Sequence, residues 1–432
     1  MRKNILTLTL AALMLSACAD VPDTVRERAE NSSVTDSLES KADSDLVYDT
    51  VENVTKNAAN VLGNKYQNIV LSEDMLLDVA PAEKAYIIKG SGFADEGAAD
   101  LDKMLEDFTL MFAGEKPQYV VPYGIRSYEV DAAPYLSQGL DPSDFGVNYE
   151  GYQDQQPMLP DGCGYSAYGI DKYSVNITSG GDITAYYTDE WRIKGSNFFP
   201  YIRSYDLLKD DIEGVSYSVA GEDYPLTEAL EFADSYVKNE LAPFLENYDG
   251  ARAVKVYIGD GSGNGEEVTD PGNHYYYFVY EQTVGNIPFS RYGFAQKPEY
   301  MAKEYLHIGI FAPGKVEQLG KCDFFVSEKN EQDKLITLES ALAHAEKLLA
   351  PFEVYKPVRI SLEYSDHMIT QTDGSDVSYE FHPMWVLTLS DTDMNKIDVT
   401  FEQRRAIFID AVTGDVMLWD DGQGRFLFGG EA

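Results

Sequence analysis

A long-range repetition constrains this chain more than any local motif does. "LTEALEFADSYVKNELAPF" (226–244) is echoed by "ITLESALAHAEKLLAPF" (336–352), and both copies end on the same LAPF tetrapeptide. Each places apolar residues at helical spacing: Leu230, Ala233, Val237 and Leu241 in the first, Leu338, Ala341, Leu342, Ala345, Leu348 and Leu349 in the second. Thr227 and Thr337 stand where an N-cap is expected, and Pro243 and Pro351 where a helix must stop. A strand-like segment follows each helix, "AVKVYIG" (253–259) or "VRISLEY" (358–364). After a polar loop comes another, "HYYYFVYEQ" (274–282) or "MWVLTLSD" (384–391). Repetition on this scale points to duplicated supersecondary units.

The second copy closes with "RRAIFIDAVTGDVMLWD": a strand to Ile409, a turn through DAVTGD with Gly414 at the position needing positive φ, and a return strand VMLW. This ending, an apolar strand running into Asp-Ala-x-Thr-Gly-x-Val, resembles PepSY-type domains, small exported or membrane-associated α+β modules. The resemblance covers roughly 336–420 and, more faintly, 226–290, where the first copy lacks DAVTG. It implies a non-enzymatic role, restraining a peptidase or sensing and regulating at the cell surface. The expected fold class is therefore α+β: an N-terminal mixed α+β region followed by two tandem helix-plus-antiparallel-sheet units, 223–325 and 326–432.

Upstream, "EGAADLDKMLEDFTLMFAG" aligns Leu101, Met104, Leu105, Phe108, Met111 and Phe112 on one helical stripe, with Gly114 and Pro117 beyond its end. Residues 118–162 are rich in Pro, Gly and Tyr and show no clear period. A hairpin is expected on either side of Ser179-Gly180-Gly181-Asp182. These segments make up the N-terminal region, 46–222.

The chain opens with Arg2 and Lys3 ahead of an apolar run, Ile5 to Leu15, too short to span a bilayer and suited to an export signal. Leu15-Ser16-Ala17-Cys18 resembles the lipobox of bacterial lipoproteins. The resemblance implies cleavage before Cys18, a diacylglycerol on its thiol, and residues 1–17 as the signal peptide. The whole arrangement resembles uncharacterised lipoproteins of Gram-positive anaerobes. Residues 18–45 are polar and poor in large apolar side chains, as a disordered tether is.

The 73 acidic residues against 34 basic give a formal net charge of −39, a field that opposes nucleic acid and anionic head groups. Cys163 and Cys322 are the remaining cysteines; neither lies in a CxxC pattern, and an exported chain could pair them as a disulfide or bury them as free thiols. The loop "DGSGNGEEVTDP" offers Asp260, Ser262, Asn264 and Gly265 at calcium-loop spacing. It has Pro271 where the closing carboxylate belongs and Asp270 one residue early, so a flexible glycine-rich loop is the plainer expectation.

Other chemical signatures are weak. "GYSAYG" misses the G-x-S-x-G elbow at one position, Ser235 to Lys238 spells S-x-x-K without a K-T-G, and no HExxH or phosphate loop appears. His344 reads as a partly exposed helix residue and His382, at the head of a strand, as a packing residue. The 31 tyrosines read chiefly as strand residues. No cofactor is expected. The function these features favour is that of a lipid-anchored, extracytoplasmic, non-catalytic binding or regulatory protein, attached to the membrane through Cys18 and acting on an envelope protein or peptide. A substrate-binding lipoprotein for saccharides or peptides is the alternative, and an envelope hydrolase the third.

Overall fold

Strands dominate the computed structural model, and their pairing departs from the sequence reading. The structure describes residues 46–91, 101–117, 119–122, 132, 135–136, 138–145, 164–168, 170, 172–178, 183–187, 201–245, 249–260, 272–289, 306–321, 325–350, 353–371, 377–389, 406–420 and 424–428. The first strands are β1 (Tyr48–Thr50), β2 (Leu76–Asp78), β3 (Ala85–Ser91), β4 (Tyr119–Pro122), β5 (Gly164–Tyr168), β6 (Tyr173–Thr178) and β7 (Ile183–Tyr187). Next come β8 (Tyr201–Asp206), β9 (Ser216–Val219), β10 (Glu222–Pro225), β11 (Gly250–Asp260), β12 (His274–Val284), β13 (Ile287–Pro288), β14 (Leu306–Ala312) and β15 (Lys315–Lys321). The last are β16 (Phe325–Gln332), β17 (Lys334–Ile336), β18 (Pro357–Gln371), β19 (Val377–Leu389), β20 (Ala406–Asp410), β21 (Val416–Asp420) and β22 (Gly424–Phe428). Four α-helices lie among the described residues: α1 (Val51–Lys56), α2 (Leu101–Ala113), α3 (Leu226–Tyr236) and α4 (Leu338–Leu348).

The expected α+β class with tandem PepSY-like helix-plus-sheet units is overturned by this topology. The protein is mostly β, and its strands assemble into one sheet of twelve and one of eight, with β1 and β17 paired separately. Both large sheets are mixed, through the parallel pairs β9–β12 and β2–β18. Strands from far upstream complete them. β4 to β7 extend the twelve-stranded sheet from the edge of β15, and β2 and β3 join the eight-stranded sheet beside β18, β19 and β16. The segments that carried the repetition are present as β11–β12 and β18–β19 hairpins, but each is part of a larger sheet built from distant chain.

The helices follow their apolar stripes. In α2, Leu105, Phe108 and Phe112 are buried, and Gly114, at φ 78°, adopts the left-handed conformation that ends the helix. In α4, Thr337 caps the N-terminus by accepting a hydrogen bond from the Ser340 N–H at 3.3 Å. The first copy differs: α3 starts at Leu226 after Pro225, and no side chain caps it. It continues through a π turn at Val237–Leu241 into a 3₁₀ turn, Ala242–Phe244, that holds Pro243.

Two cores result. Helices α2 and α3 cover the twelve-stranded sheet through Leu105, Phe108, Leu226, Ala229 and Ala233 against Tyr276, Phe278, Ile308 and Ile310. Helices α1 and α4 cover the eight-stranded sheet around Trp385, whose Nε1–H donates to Ile336 O at 2.9 Å. The tight β12–β13 turn, with Gly285 and Asn286 both at positive φ, carries Val284 and Ile287 from the first sheet into the second core. Asn286 Nδ2 donates to Pro81 O there, and a Cβ on Gly285 would fall 2.7 Å from Lys84 O. The two sheets are thus joined by packed backbone.

Candidate functional site

The β18 sequence V-R-I-S-L-E-Y-S alternates apolar and polar residues, a pattern that ordinarily gives a strand one face in the core and one in water. The structure buries both faces. Ile360, Leu362 and Tyr364 face the α4 core, while Arg359, Ser361, Glu363 and Ser365 on the other side are each at most 5% exposed. Neighbouring strands add His382 of β19 and Asp410 of β20, and Asp78 of β2 stands opposite Ser361. Met384, Val386, Ala406, Phe408 and Met417 supply the apolar part of this second buried layer.

Asp78 organises one end. Its oxygens accept two hydrogen bonds of 2.8 Å from Arg252 of β11 and one of 2.5 Å from Arg359. Arg252 also pairs with Glu281 at 3.0 Å, and Arg359 with Glu363 at 2.8 Å. Ser361 Oγ donates to Glu363 at 2.7 Å. Three carboxylates and two guanidiniums from both sheets therefore form one network, buried except at the partly exposed Arg252. Burial alone would push the Asp78 carboxyl up, but the bonds from Arg252 and the charge of Arg359 outweigh it and hold it at about 2. Burial likewise opposes the charge on Arg359, and Glu363 and Asp78 more than restore it. Arg359 Nε, Glu363 Oε2 and Ser365 Oγ are buried without hydrogen-bond partners.

His382 organises the other end. Nδ1 lies 2.6 Å from Asp410 Oδ2 and Nε2 lies 3.1 Å from Glu380 Oε1. Asp410 Oδ1 in turn accepts from the Val412 and Thr413 N–H groups at 2.7 and 3.0 Å, fixing the DAVTG turn. Serine, imidazole and carboxylate do occur on adjacent strands here, since Ser365 pairs in register with His382. Both ring nitrogens are committed to carboxylates, however, and Ser365 Oγ is bonded to neither, so this cluster does not activate the serine.

Apart from His382, the residues singled out from sequence lie elsewhere. Cys18, Cys163 and Cys322 are outside the described residues, as are Ser262, Asn264 and Asp270; Asp260 ends β11 opposite His274, and its side chain is not described. Ser235 and Lys238 are exposed on the surface near α3. His344 is half-buried and lines a cavity of about 240 Å³ with Leu46, Val47, Thr337, Ser340 and Lys347. His382 is inside β19 rather than at its head, buried, with both ring nitrogens against carboxylate oxygens. The buried network of Asp78, Arg252, Glu281, Arg359 and Glu363 was missed because strand alternation assigns such residues to solvent. The one visible signal was an Arg and a Glu four apart on a strand otherwise rich in core residues. Among the described residues no group of three His, Cys, Asp or Glu is placed to hold a metal ion, and no helix is long and apolar enough to cross a membrane.

No protein-family model matches the chain, and no curated protein matches it. Among solved structures, it is similar to the crystal structure of an uncharacterized protein from Eubacterium rectale, with 16% sequence identity, a TM-score of 0.47, and coverage of 84% of this chain and 97% of that one.

Proposed function

We propose that the chain is a lipid-anchored, extracytoplasmic, non-catalytic protein that binds or regulates an envelope protein or peptide. The observation that supports this reading most is the edge strand β16. It pairs with β3 along its whole length and, among the described residues, with no strand on its other side. Ser327 to Glu331 are exposed throughout. Such an edge presents backbone donors and acceptors to which an extended segment can add as a further strand. Glu328, Lys329 and Glu331 discourage pairing between two copies of the same edge, leaving it to a partner of different charge pattern. Attachment through Cys18 rests on the Leu15–Cys18 resemblance, and two acyl chains give stable anchoring.

The test has two arms. Recovery of the Cys18-anchored protein from crosslinked cells should return a reproducible protein partner, and the exposed substitution Lys329→Glu should reduce its yield. Return of lipids alone, or a yield that Lys329→Glu leaves unchanged, defeats edge binding. Separately, a Cys18→Ala chain should leave the membrane fraction; retention there defeats the anchor.

A further inference from the structure

His382 sits where β19 changes neighbours. Ser378 to Phe381 pair with β3, while Met384 to Thr388 pair with β20. At that fork each ring nitrogen meets a carboxylate oxygen, Nδ1 at 2.6 Å and Nε2 at 3.1 Å. Ionised carboxylates only accept hydrogen bonds, and a neutral imidazole has one N–H to give. The doubly protonated ring satisfies both contacts; the neutral ring would set a lone pair against one of the carboxylates.

The two carboxylates differ in freedom. Asp410 is fully buried and tied to the turn by two backbone N–H groups. Glu380 is 29% exposed and stands opposite Lys89 of β3, with Nζ 3.7 Å away. Lys89 reaches Glu328 of β16, 3.6 Å away, which is its register partner on the far side. Charges of alternating sign therefore run from Asp410 through His382, Glu380 and Lys89 to Glu328, crossing β20, β19, β3 and β16. On β18 the register partner of His382 is Ser365, which is neutral, and Glu363, two residues away, is paired with Arg359; Tyr48 of β1 feels the charge of Asp410.

We infer that His382 is held as an imidazolium at neutral pH and that its deprotonation releases Glu380, loosening the β3–β16 edge from β19. Burial disfavours the charged ring, but Asp410 and then Glu380 outweigh it, so His382 titrates above the ordinary histidine value. A group raised in the folded state contributes fully below its unfolded value, about 6.5, and the contribution is lost as pH rises through the folded value. The latch is closed near the ordinary histidine value and opens as pH rises through the raised value of His382. It concerns the strand pair alone and holds whether or not the edge binds a partner.

Nitrogen-15 NMR of the full chain tests it together with amide exchange expressed as protection factors. Both His382 nitrogens should be protonated at pH 7, and protection in β3 and β16 should fall about tenfold as the ring titrates, the effect of losing one charge-assisted hydrogen bond. Glu380→Gln, a conservative change at a partly exposed site, should lower the titration point and flatten that response while β18–β19 protection stays high. An unprotonated ring nitrogen at pH 7 overturns the inference, as does β3–β16 protection that is unchanged through the titration.

Discussion

Asp78 shows how much a single side chain can depend on its surroundings. It is one carboxylate among 73 acidic residues, yet it is where a guanidinium from each large sheet converges. A buried ion pair is not in itself a strong source of stability, because desolvation consumes most of the Coulomb gain; breaking one is costly, because the surviving charges are left buried. Asp78→Ala should therefore lower unfolding free energy by about 3–5 kcal/mol, read from denaturant midpoints. Its pH signature is separate. With the folded value depressed to about 2, Asp78 contributes above the ordinary carboxylate range, and that contribution is lost as pH falls through about 2. From the size of that depression the ionised form supplies about 2 kcal/mol at neutral pH. The stability gap between the native chain and Asp78→Asn should shrink as pH falls from about 5 to 2; a gap that stays constant would refute the assignment.

At the scale of elements, the two echoed helices make a controlled comparison. Thr337 caps α4 with its side chain, whereas Thr227 lies inside α3 behind Pro225. Thr337→Ala should cost about 1 kcal/mol, while Thr227→Ala should stay within about 0.5 kcal/mol. Equal losses from the two would show that the copies are capped alike. The strands carry their own local devices. Tyr275 stacks on Phe311 at 4.5 Å with its ring over Gly259, and His307 stacks on Tyr277 at 5.0 Å with its ring over Gly320. A Cβ at either glycine would sit within 2.0 Å of ring carbon, so glycine there makes room for the aromatic layer rather than for a turn. His307, so enclosed, is pushed down to about 4 by burial and stays neutral under ordinary conditions.

For the whole molecule the question is whether two sheets behave as one body. The β12–β13 turn inserts Val284 and Ile287 into the core around Trp385, and Arg252 crosses to Asp78. Trp385→Ala, which removes the largest fully buried side chain among the described residues, should cost about 3–5 kcal/mol. It should also reduce amide protection in both sheets, including Tyr276 and Phe278 of the other core. If protection of those residues is unaffected, the sheets unfold independently.

The sequence by itself determined what local physics controls. The apolar stripe of α2, the Thr337 cap, the hairpin of β6 and β7 and the positive-φ turn at Gly414 were all legible, because each depends on residues within a turn or two of one another. Strand partnership was not legible. Which edge β2, β3 and β4 to β7 would complete is settled by hydrogen bonds between residues tens to hundreds of positions apart, and no period in the chain encodes it. The same limit hid the candidate site. Alternation in β18 puts Arg359, Ser361, Glu363 and Ser365 on one face and Ile360, Leu362 and Tyr364 on the other, but only the tertiary structure decided that the polar row would be buried too, because the charges that neutralise it arrive from β2 and from the other sheet.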